Sequence, residues 1–379
     1  MAYDGGCKQE GSTMTLRPLA ITFACVLGAC ASRGNVVPFS LQDCRGHLSR
    51  GEYDDAAQRC DADFALIEQS TGLQIENGRK LLDLADSAIR FGDYRIAERA
   101  AALSMPYEPD ALAILAQAQY RQGDYEAAMA RGAEYLERFG AGAPRASEAL
   151  EALGMSLATR GRSDEARQLA HTALQVAAAQ TDNAVTVNAS LLQSSVLWLA
   201  GDKAASGEVA AGALELAVQS GLDSSALLVN LARFKYSEGG YDEARALLEK
   251  SLAVAHLRLW PGHPEYAGVM NDLGLIDMKA GNTDAAETEF LTALQTRKAR
   301  LGMQHTAVAQ SLNNLGALYH RLGDLDQAAA LYERALDINL AVLGRSNRRS
   351  QLIFDNLDLL ARDRRASPDT PREPKLDGP

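Results

Sequence analysis

Aromatic residues are scarce in this chain, at 6 % of its 379 positions, and no long apolar run follows the first thirty residues. A transmembrane helix needs about 20 consecutive apolar residues, so we expect none. The chain also lacks the phosphate-binding loop Gly-x-x-x-x-Gly-Lys-Ser/Thr, the zinc motif His-Glu-x-x-His and the nucleophile motif Gly-x-Ser-x-Gly. We therefore predict a protein that is not an enzyme, with no catalytic residue, cofactor or small-molecule substrate.

Clustered histidines and an excess of basic charge are missing as well. The six histidines are scattered along the chain. His263 and His305 hold matching positions, which we attribute to loop structure, so no metal site is predicted. The formal net charge is −11. Such a surface repels phosphate backbones, so we expect no nucleic-acid partner.

The segment that begins at Met14 has the pattern of a secretory signal. A short basic start precedes the apolar run Leu19–Gly28, and small residues follow it. About ten apolar residues are too few for a stable membrane anchor. The thirteen residues before Met14 include two acids and fit a signal poorly, so either Met1 or Met14 is the true start.

Leu27-Gly28-Ala29-Cys30 at the end of this run resembles the lipobox of bacterial lipoproteins. The resemblance implies cleavage before Cys30 and attachment of a diacylglycerol to its thiol. Ala31 is not the aspartate that marks retention in the inner membrane, so we expect the outer membrane, with the protein facing the periplasm. Cleavage after Ala31 would instead give a soluble periplasmic protein.

A glycine-centred element recurs eight times along the rest of the chain. Glycine ends a helix at no side-chain cost, and the polar residues after it can cap the next helix. A small residue lies seven positions before each glycine and another five after it, which permits close packing of two helices. The eight glycines are Gly51, Gly92, Gly123, Gly161, Gly201, Gly239, Gly281 and Gly323.

These positions resemble the tetratricopeptide repeat over residues 40–345. The resemblance implies an all-α fold: a right-handed superhelical solenoid of stacked helix-turn-helix hairpins. The last three glycines lie 42 residues apart, which is similar to the longer repeats of kinesin light chains, as is Asn-Asn-Leu-Gly at Asn313–Gly316. A polar helix over Asn347–Leu360 would cap the array.

The sequence thus divides into four predicted segments. Residues 1–29 are an upstream extension and lipoprotein signal peptide, and residues 30–39 are a lipidated N-terminus and short linker. Residues 40–362 form the solenoid of about eight repeats plus the capping helix. Residues 363–379 hold four prolines and many charges, and we expect a disordered tail.

Two cysteines remain in the predicted mature chain besides the lipidated one. Cys44 and Cys60 fall on the two facing helices of the first repeat, and the periplasm is oxidising. We predict a disulfide between them, which would stabilise the first repeat by roughly 3 kcal/mol. Two buried reduced thiols are the alternative.

A ladder of amide and acidic residues marks the candidate binding surface. Asn230, Asp272, Asn314 and Asn356 are 42 residues apart, at a position that faces the concave wall in tetratricopeptide proteins. Asparagine there can hydrogen-bond the backbone of an extended peptide. Alternatively, these side chains bond to each other and stiffen the array. The full predicted surface is Asn230, Arg233, Asn271, Asp272, Lys279, Asn313, Asn314, Arg321 and Asn356.

The resemblance implies a lipid-anchored scaffold or adaptor that binds envelope proteins or peptides through its concave face. Pilus, secretion, outer-membrane assembly and polysaccharide export are the expected settings, and the sequence does not choose among them. Two alternatives remain open. The protein could be a regulatory accessory subunit of a cell-envelope enzyme, or a structural spacer without a ligand in its groove.

Overall fold

The computed structural model describes residues 41–69, 75–256 and 262–366, which contain seventeen α-helices and no β-strand. The chain separates into Met1–Pro38 and Phe39–Pro379, and every described helix belongs to the second unit. The predictions for residues 1–29 and 30–39, including lipidation of Cys30, lie outside the described residues. None of the described helices is both long and apolar enough to cross a membrane.

The helices pair in chain order into eight antiparallel hairpins, followed by one unpaired helix. In order, they are α1 Gln42–Ser49, α2 Tyr53–Gln69, α3 Ile75–Phe91, α4 Tyr94–Ser104, α5 Ala111–Gln122, α6 Tyr125–Phe139, α7 Ala146–Thr159, α8 Ser163–Ala179, α9 Asn183–Ala200, α10 Lys203–Gln219, α11 Ser225–Ser237, α12 Tyr241–His256, α13 Pro264–Ala280, α14 Thr283–Leu301, α15 Thr306–Leu322, α16 Leu325–Leu343 and α17 Arg348–Ala366. The predicted all-α repeat superhelix is confirmed.

Each hairpin turns at one of the eight predicted glycines, all of which have positive φ. Gly123 is representative, because it ends α5 at φ 86° in the left-handed region that other residues rarely adopt. The next residue, Asp124, accepts a hydrogen bond from the backbone N–H of Ala127 and so caps α6. The glycine pattern therefore gives the hairpin boundaries directly.

The small residues flanking each glycine are buried where the two helices of a hairpin meet. At Gly316, an added Cβ would lie 2.8 Å from the Tyr332 ring, so the aromatic side chain occupies the space that glycine leaves. Ser206 replaces the usual alanine in the fifth hairpin, and its hydroxyl donates to the backbone oxygen of Ser194 at 2.8 Å. Ser194 donates back to the oxygen of Ser206 at 3.0 Å.

Helix α17 closes the array, as expected of a capping helix. It buries Ile353 and Leu360 against the last hairpin while Leu352 and Leu359 stay exposed. The helix runs to Ala366, so the first four residues assigned to the tail are helical. The other residues of that segment lie outside the described ranges.

The solenoid coils tightly enough for later repeats to contact earlier ones. Arg121 in the third repeat donates to Glu265 in the seventh at 2.9 Å, and the hydroxyls of Tyr125 and Thr306 lie 2.8 Å apart. Farther along, the Asn347 amide donates to the backbone oxygen of Thr159 at 2.9 Å. One coil of helices therefore packs on the next, an arrangement that local repeat patterns do not predict.

Two hairpin glycines fit against histidines of the next coil. His263 and His305 cap α13 and α15, because each Nδ1 atom accepts a backbone N–H two residues later, at 3.1 and 3.0 Å. A Cβ at Gly92 would lie 2.7 Å from Cδ2 of His263, and one at Gly123 would lie 2.9 Å from Cδ2 of His305. The matching histidines thus have the loop-structural role that their register predicts.

Candidate functional site

Three adjoining cavities lie along the inner wall of the solenoid, which is built mainly from the first helix of each repeat. The largest has a volume of about 400 Å³ and lies among α5, α7, α9, α11 and α13. The other two measure about 250 and 270 Å³. Arg233 lines all three, so we describe them together as the inner channel.

The largest cavity carries three carboxylates, Glu148, Glu151 and Glu265, and we call it the acidic end of the channel. Arg121 lies between two of them, 2.8 Å from Glu151 and 2.9 Å from Glu265. Glu148 pairs with Arg145 at 3.1 Å, and burial raises the pKa of this carboxyl group. Apolar surface at this end comes from Tyr120, Met155, Leu191, Leu192 and Val229.

The two smaller cavities contain Lys203, Arg233, Arg297 and Arg349, which we call the basic end. Arg233 pairs with Asp272 through a 2.7 Å contact. The other three differ, because no carboxylate among the described residues lies within 4.0 Å of their cationic atoms. The ends of the channel therefore differ in charge as well as in size.

Arg297 is the most buried of these cations, with 5 % of its surface exposed. Its guanidinium donates only to neutral acceptors: the side chains of Ser311 at 2.7 Å and Asn271 at 3.3 Å, and the backbone oxygen of Ala307 at 3.0 Å. Burial lowers its pKa to about 10, so the side chain remains charged at neutral pH. Hydrogen bonds therefore satisfy this group while its charge stays unpaired.

Aromatic surface adjoins the basic end. Trp198 on α9 is half-buried and lines both smaller cavities, and the Lys203 ammonium lies 5.6 Å from the centre of its ring. A cation over an indole face is attracted by the ring quadrupole. This arrangement offers a flat apolar surface beside positive charge.

The predicted ladder residues bond across neighbouring helices. The Asn230 amide donates to the hydroxyls of Ser194 and Ser195 at 3.2 and 3.0 Å. Asn314 donates to Asn271 at 3.1 Å, and Asn356 donates to Asn313 at 2.8 Å. We call Asn230, Asn271, Asn313, Asn314 and Asn356 the asparagine ladder. These contacts match the stiffening alternative, and a direct role in peptide binding stays a prediction.

Three of the nine predicted concave residues line the inner channel: Asn230, Arg233 and Asp272. Lys279 and Arg321 are exposed and line none of the three cavities. Arg321 donates to the backbone oxygen of Met278 at 2.6 Å, one repeat away. The structure therefore separates these two cations from the basic end.

The two cysteines of the first hairpin lie where their register places them. Cys44 on α1 and Cys60 on α2 are fully buried, and the structure joins them in a disulfide with Cα atoms 5.2 Å apart. The closest metal-like grouping in the described residues is exposed: His47, Glu52 and Asp55. Arg50 bonds both His47 and Glu52, which places a positive charge at the atoms that would hold a cation.

Sequence patterns alone did not identify several channel residues, including Arg121, Glu265, Arg297 and Arg349. Arg121 and Glu265 meet only because the third repeat contacts the seventh. Arg297 lies on a second helix, whereas the search for ligand contacts followed the first helices. A register signal existed only for Arg349, which follows Asn347 at the position equivalent to the His263 and His305 caps.

Four segments match sequence models described as tetratricopeptide repeat: residues 82–144, 147–172, 225–265 and 265–341. Together they cover more than half of the chain and extend over six of the eight hairpins. No curated protein matches closely enough to count as a relative.

Solved structures share the fold at low sequence identity. The Cut9–Hcn1 hetero-tetramer of APC/C is 16 % identical, with a TM-score of 0.54, and the match covers 82 % of this chain and 59 % of that one. A Rap protein complexed with competence and sporulation factor is 14 % identical, with a TM-score of 0.50, covering 85 % and 97 %. TPR-like repeats assigned to a Podosopora anserina kinesin light chain are 18 % identical over 51 % and 93 %, with a TM-score of 0.38.

Proposed function

This chain is a tetratricopeptide-repeat protein, and we propose that it is a non-catalytic scaffold that binds an extended segment of another protein in its inner channel. The observation that carries this proposal is the channel itself. It combines three adjoining cavities, aromatic surface and cations that have no carboxylate partner among the described residues. Rigid apolar walls with a few oriented charges are typical of ligand sites.

The fold comparison supports the same proposal. The Rap protein with a similar fold was solved in complex with competence and sporulation factor. That ligand belongs to the Rap protein, but the complex shows that a superhelix of this kind can hold a binding partner. The asparagine ladder would keep the wall of the channel rigid, which reduces the entropy lost when a segment binds.

Site-specific photo-crosslinking in cells tests the proposal. Gln310 is exposed on α15 and lines both smaller cavities, so a crosslinking residue there should capture the bound segment. Glu208 on α10 is equally exposed and lines none of the three cavities, which makes it the matched control. We expect discrete adducts from position 310 alone. Equal adducts from both positions, or none from either, would argue against a channel ligand.

We further propose that the scaffold is anchored in the outer membrane through a lipid on Cys30 and gathers envelope proteins for assembly of a larger machine. The signal-like segment and lipobox resemblance of residues 14–30 support this proposal. Mass spectrometry of the mature N-terminus provides the test, and we expect a diacylglyceryl cysteine at its start. An unacylated chain beginning at Ser32 would contradict the anchor and favour a soluble periplasmic protein.

A further inference from the structure

The basic end of the inner channel is unusual in a chain whose net charge is −11. The two smaller cavities together present five cationic side chains and two carboxylates: Lys203, Arg121, Arg233, Arg297 and Arg349, with Glu265 and Asp272. Random distribution of the charges of an acidic protein would give the opposite balance. Positive charge is therefore concentrated where an enclosed ligand would lie.

Two of the arginines carry most of this excess. Arg297 is buried with only neutral partners, and Arg349 is exposed toward the cavities without a carboxylate within 4.0 Å in the described residues. Removing a guanidinium from water costs several kcal/mol unless an opposite charge compensates. A ligand anion beside Arg349 would supply that charge to both arginines.

The acidic end presents the complementary situation. Its three carboxylates share Arg121 and Arg145, and Arg145 also pairs with Asp86. The carboxylates at this end therefore outnumber the cations that neutralise them. A cationic group of a ligand would be attracted here and repelled by the basic end.

We propose that the inner channel binds a short peptide segment in one fixed orientation, with a carboxylate at Arg349 and Arg297 and an amino or other cationic group at Glu148 and Glu151. This inference rests on the proposed function and names its ligand class. The apolar middle of the segment packs on Trp198 and the apolar residues between the two ends. Opposite charges at opposite ends determine direction as well as affinity, because a reversed segment meets like charges.

Peptide pools that differ only in their terminal charges test this proposal. Seven-residue peptides with random uncharged residues are made in four forms, with the amino terminus free or acetylated and the carboxyl terminus free or amidated. The intact mature protein is immobilised, and mass spectrometry measures the retained fraction of each pool. We expect about tenfold greater retention of the doubly free pool than of the doubly blocked pool, with amidation causing most of the loss.

A substitution then locates the carboxylate. Arg349→Gln should lower retention of the pools with a free carboxyl terminus about tenfold and leave the amidated pools unchanged. Arg362→Gln removes the same charge from the exposed far end of α17 and should change neither. Thermal unfolding of both variants verifies that the fold is intact, since Arg349 donates no side-chain hydrogen bond within the described residues.

Other outcomes are decisive as well. Equal retention of free and amidated pools, or an equal loss of both in Arg349→Gln, would overturn the orientation while adducts at position 310 still support a channel ligand. Retention of inorganic phosphate that Arg349→Gln abolishes, with no preference among the pools, would reassign the basic end to a phosphate group. If no pool is retained and position 310 gives no adducts in cells, the proposed function itself fails.

Discussion

The asparagine ladder and the basic end of the inner channel lie on the same wall but satisfy their polar groups differently. Ladder amides bond to side chains of the preceding repeat, as Asn314 does to Asn271 at 3.1 Å. At the basic end, Arg349 has no such partner, and Arg297 has hydrogen bonds but no compensating charge. The first region is complete without a ligand, whereas the second is completed by one.

This difference shows what register can and cannot predict in a repeat protein. A position that recurs every 42 residues faces the same wall in each repeat, so the ladder residues do meet. Whether a side chain is free for a ligand depends on its neighbour in the adjacent repeat. An asparagine beside another asparagine is satisfied internally, because each amide can donate and accept.

Breaking the ladder at its most connected residue should have the largest effect on stability. Asn271 is fully buried and accepts from both Arg297 and Asn314. Asn271→Ala leaves a buried guanidinium and a buried amide each short of an acceptor, so we expect the free energy of unfolding to fall by about 3 kcal/mol. Chemical denaturation measures it.

Asn188→Ala is the control, since Asn188 is exposed and makes no hydrogen bond among those of the described residues. Its effect should stay within about 0.5 kcal/mol. Equal effects of the two substitutions would mean that the ladder does not stabilise the array.

Acid should destabilise the coil-to-coil contact beside the channel. Burial lowers the pKa of His305 to about 4, below the value of about 6.5 in an unfolded chain. As the pH falls from about 6.5 to about 4, the unfolded state takes up this proton first, so the free energy of unfolding should drop by about 2 to 3 kcal/mol. Denaturation at a series of pH values measures the loss.

His305→Asn keeps a side-chain acceptor for the N-cap but removes the titrating ring. Asn347 occupies the equivalent position in the next repeat and donates to the earlier coil, so the fold tolerates asparagine at this register. The variant should lose less stability in acid. An unchanged pH dependence would show that His305 does not account for the effect.

Two arginines of the basic end give a matched test of paired against unpaired charge. Arg233→Gln removes the partner of Asp272, which is 8 % exposed, so we expect a loss of about 1 to 2 kcal/mol in the free energy of unfolding. If thermal and chemical denaturation find no loss, the Arg233–Asp272 contact does not hold neighbouring repeats together.

Arg349→Gln should have the smallest effect on stability. Its side chain has no described partner, so we expect a change within about 0.5 kcal/mol, or a slight gain from reduced repulsion with Arg297. The same denaturation experiments measure it. A loss as large as that of Arg233→Gln would mean that Arg349 is structural, and the contrast between the two regions would disappear.

The sequence predicted the hairpins well because their signals are local. Glycine at each turn and small residues at fixed distances from it, such as Gly316 opposite Ala328, report steric requirements within about twenty residues. The register of Cys44 and Cys60 likewise brought the two residues to facing helices. The C-terminal helix was anticipated too, although it ends four residues later than expected, because nothing in Asp363–Ala366 breaks a helix.

The channel could not be predicted in the same way. Its shape depends on how far each repeat rotates against the previous one, and that small angle accumulates over several repeats. Only the accumulated rotation brings Arg121 to Glu265, or Tyr125 to Thr306. Neither contact leaves a pattern that is visible in a single sequence.

The most direct test of the account is whether the third repeat contacts the seventh, since this contact encloses the channel. Arg121 and Glu265 lie 2.9 Å apart, and Arg121→Lys would place an amine close to that carboxylate. A zero-length carbodiimide should then couple positions 121 and 265, and mass spectrometry should find the joined peptide in this variant but not after the additional change Glu265→Gln. Absence of the joined peptide from the folded Arg121→Lys protein would contradict a closed inner channel.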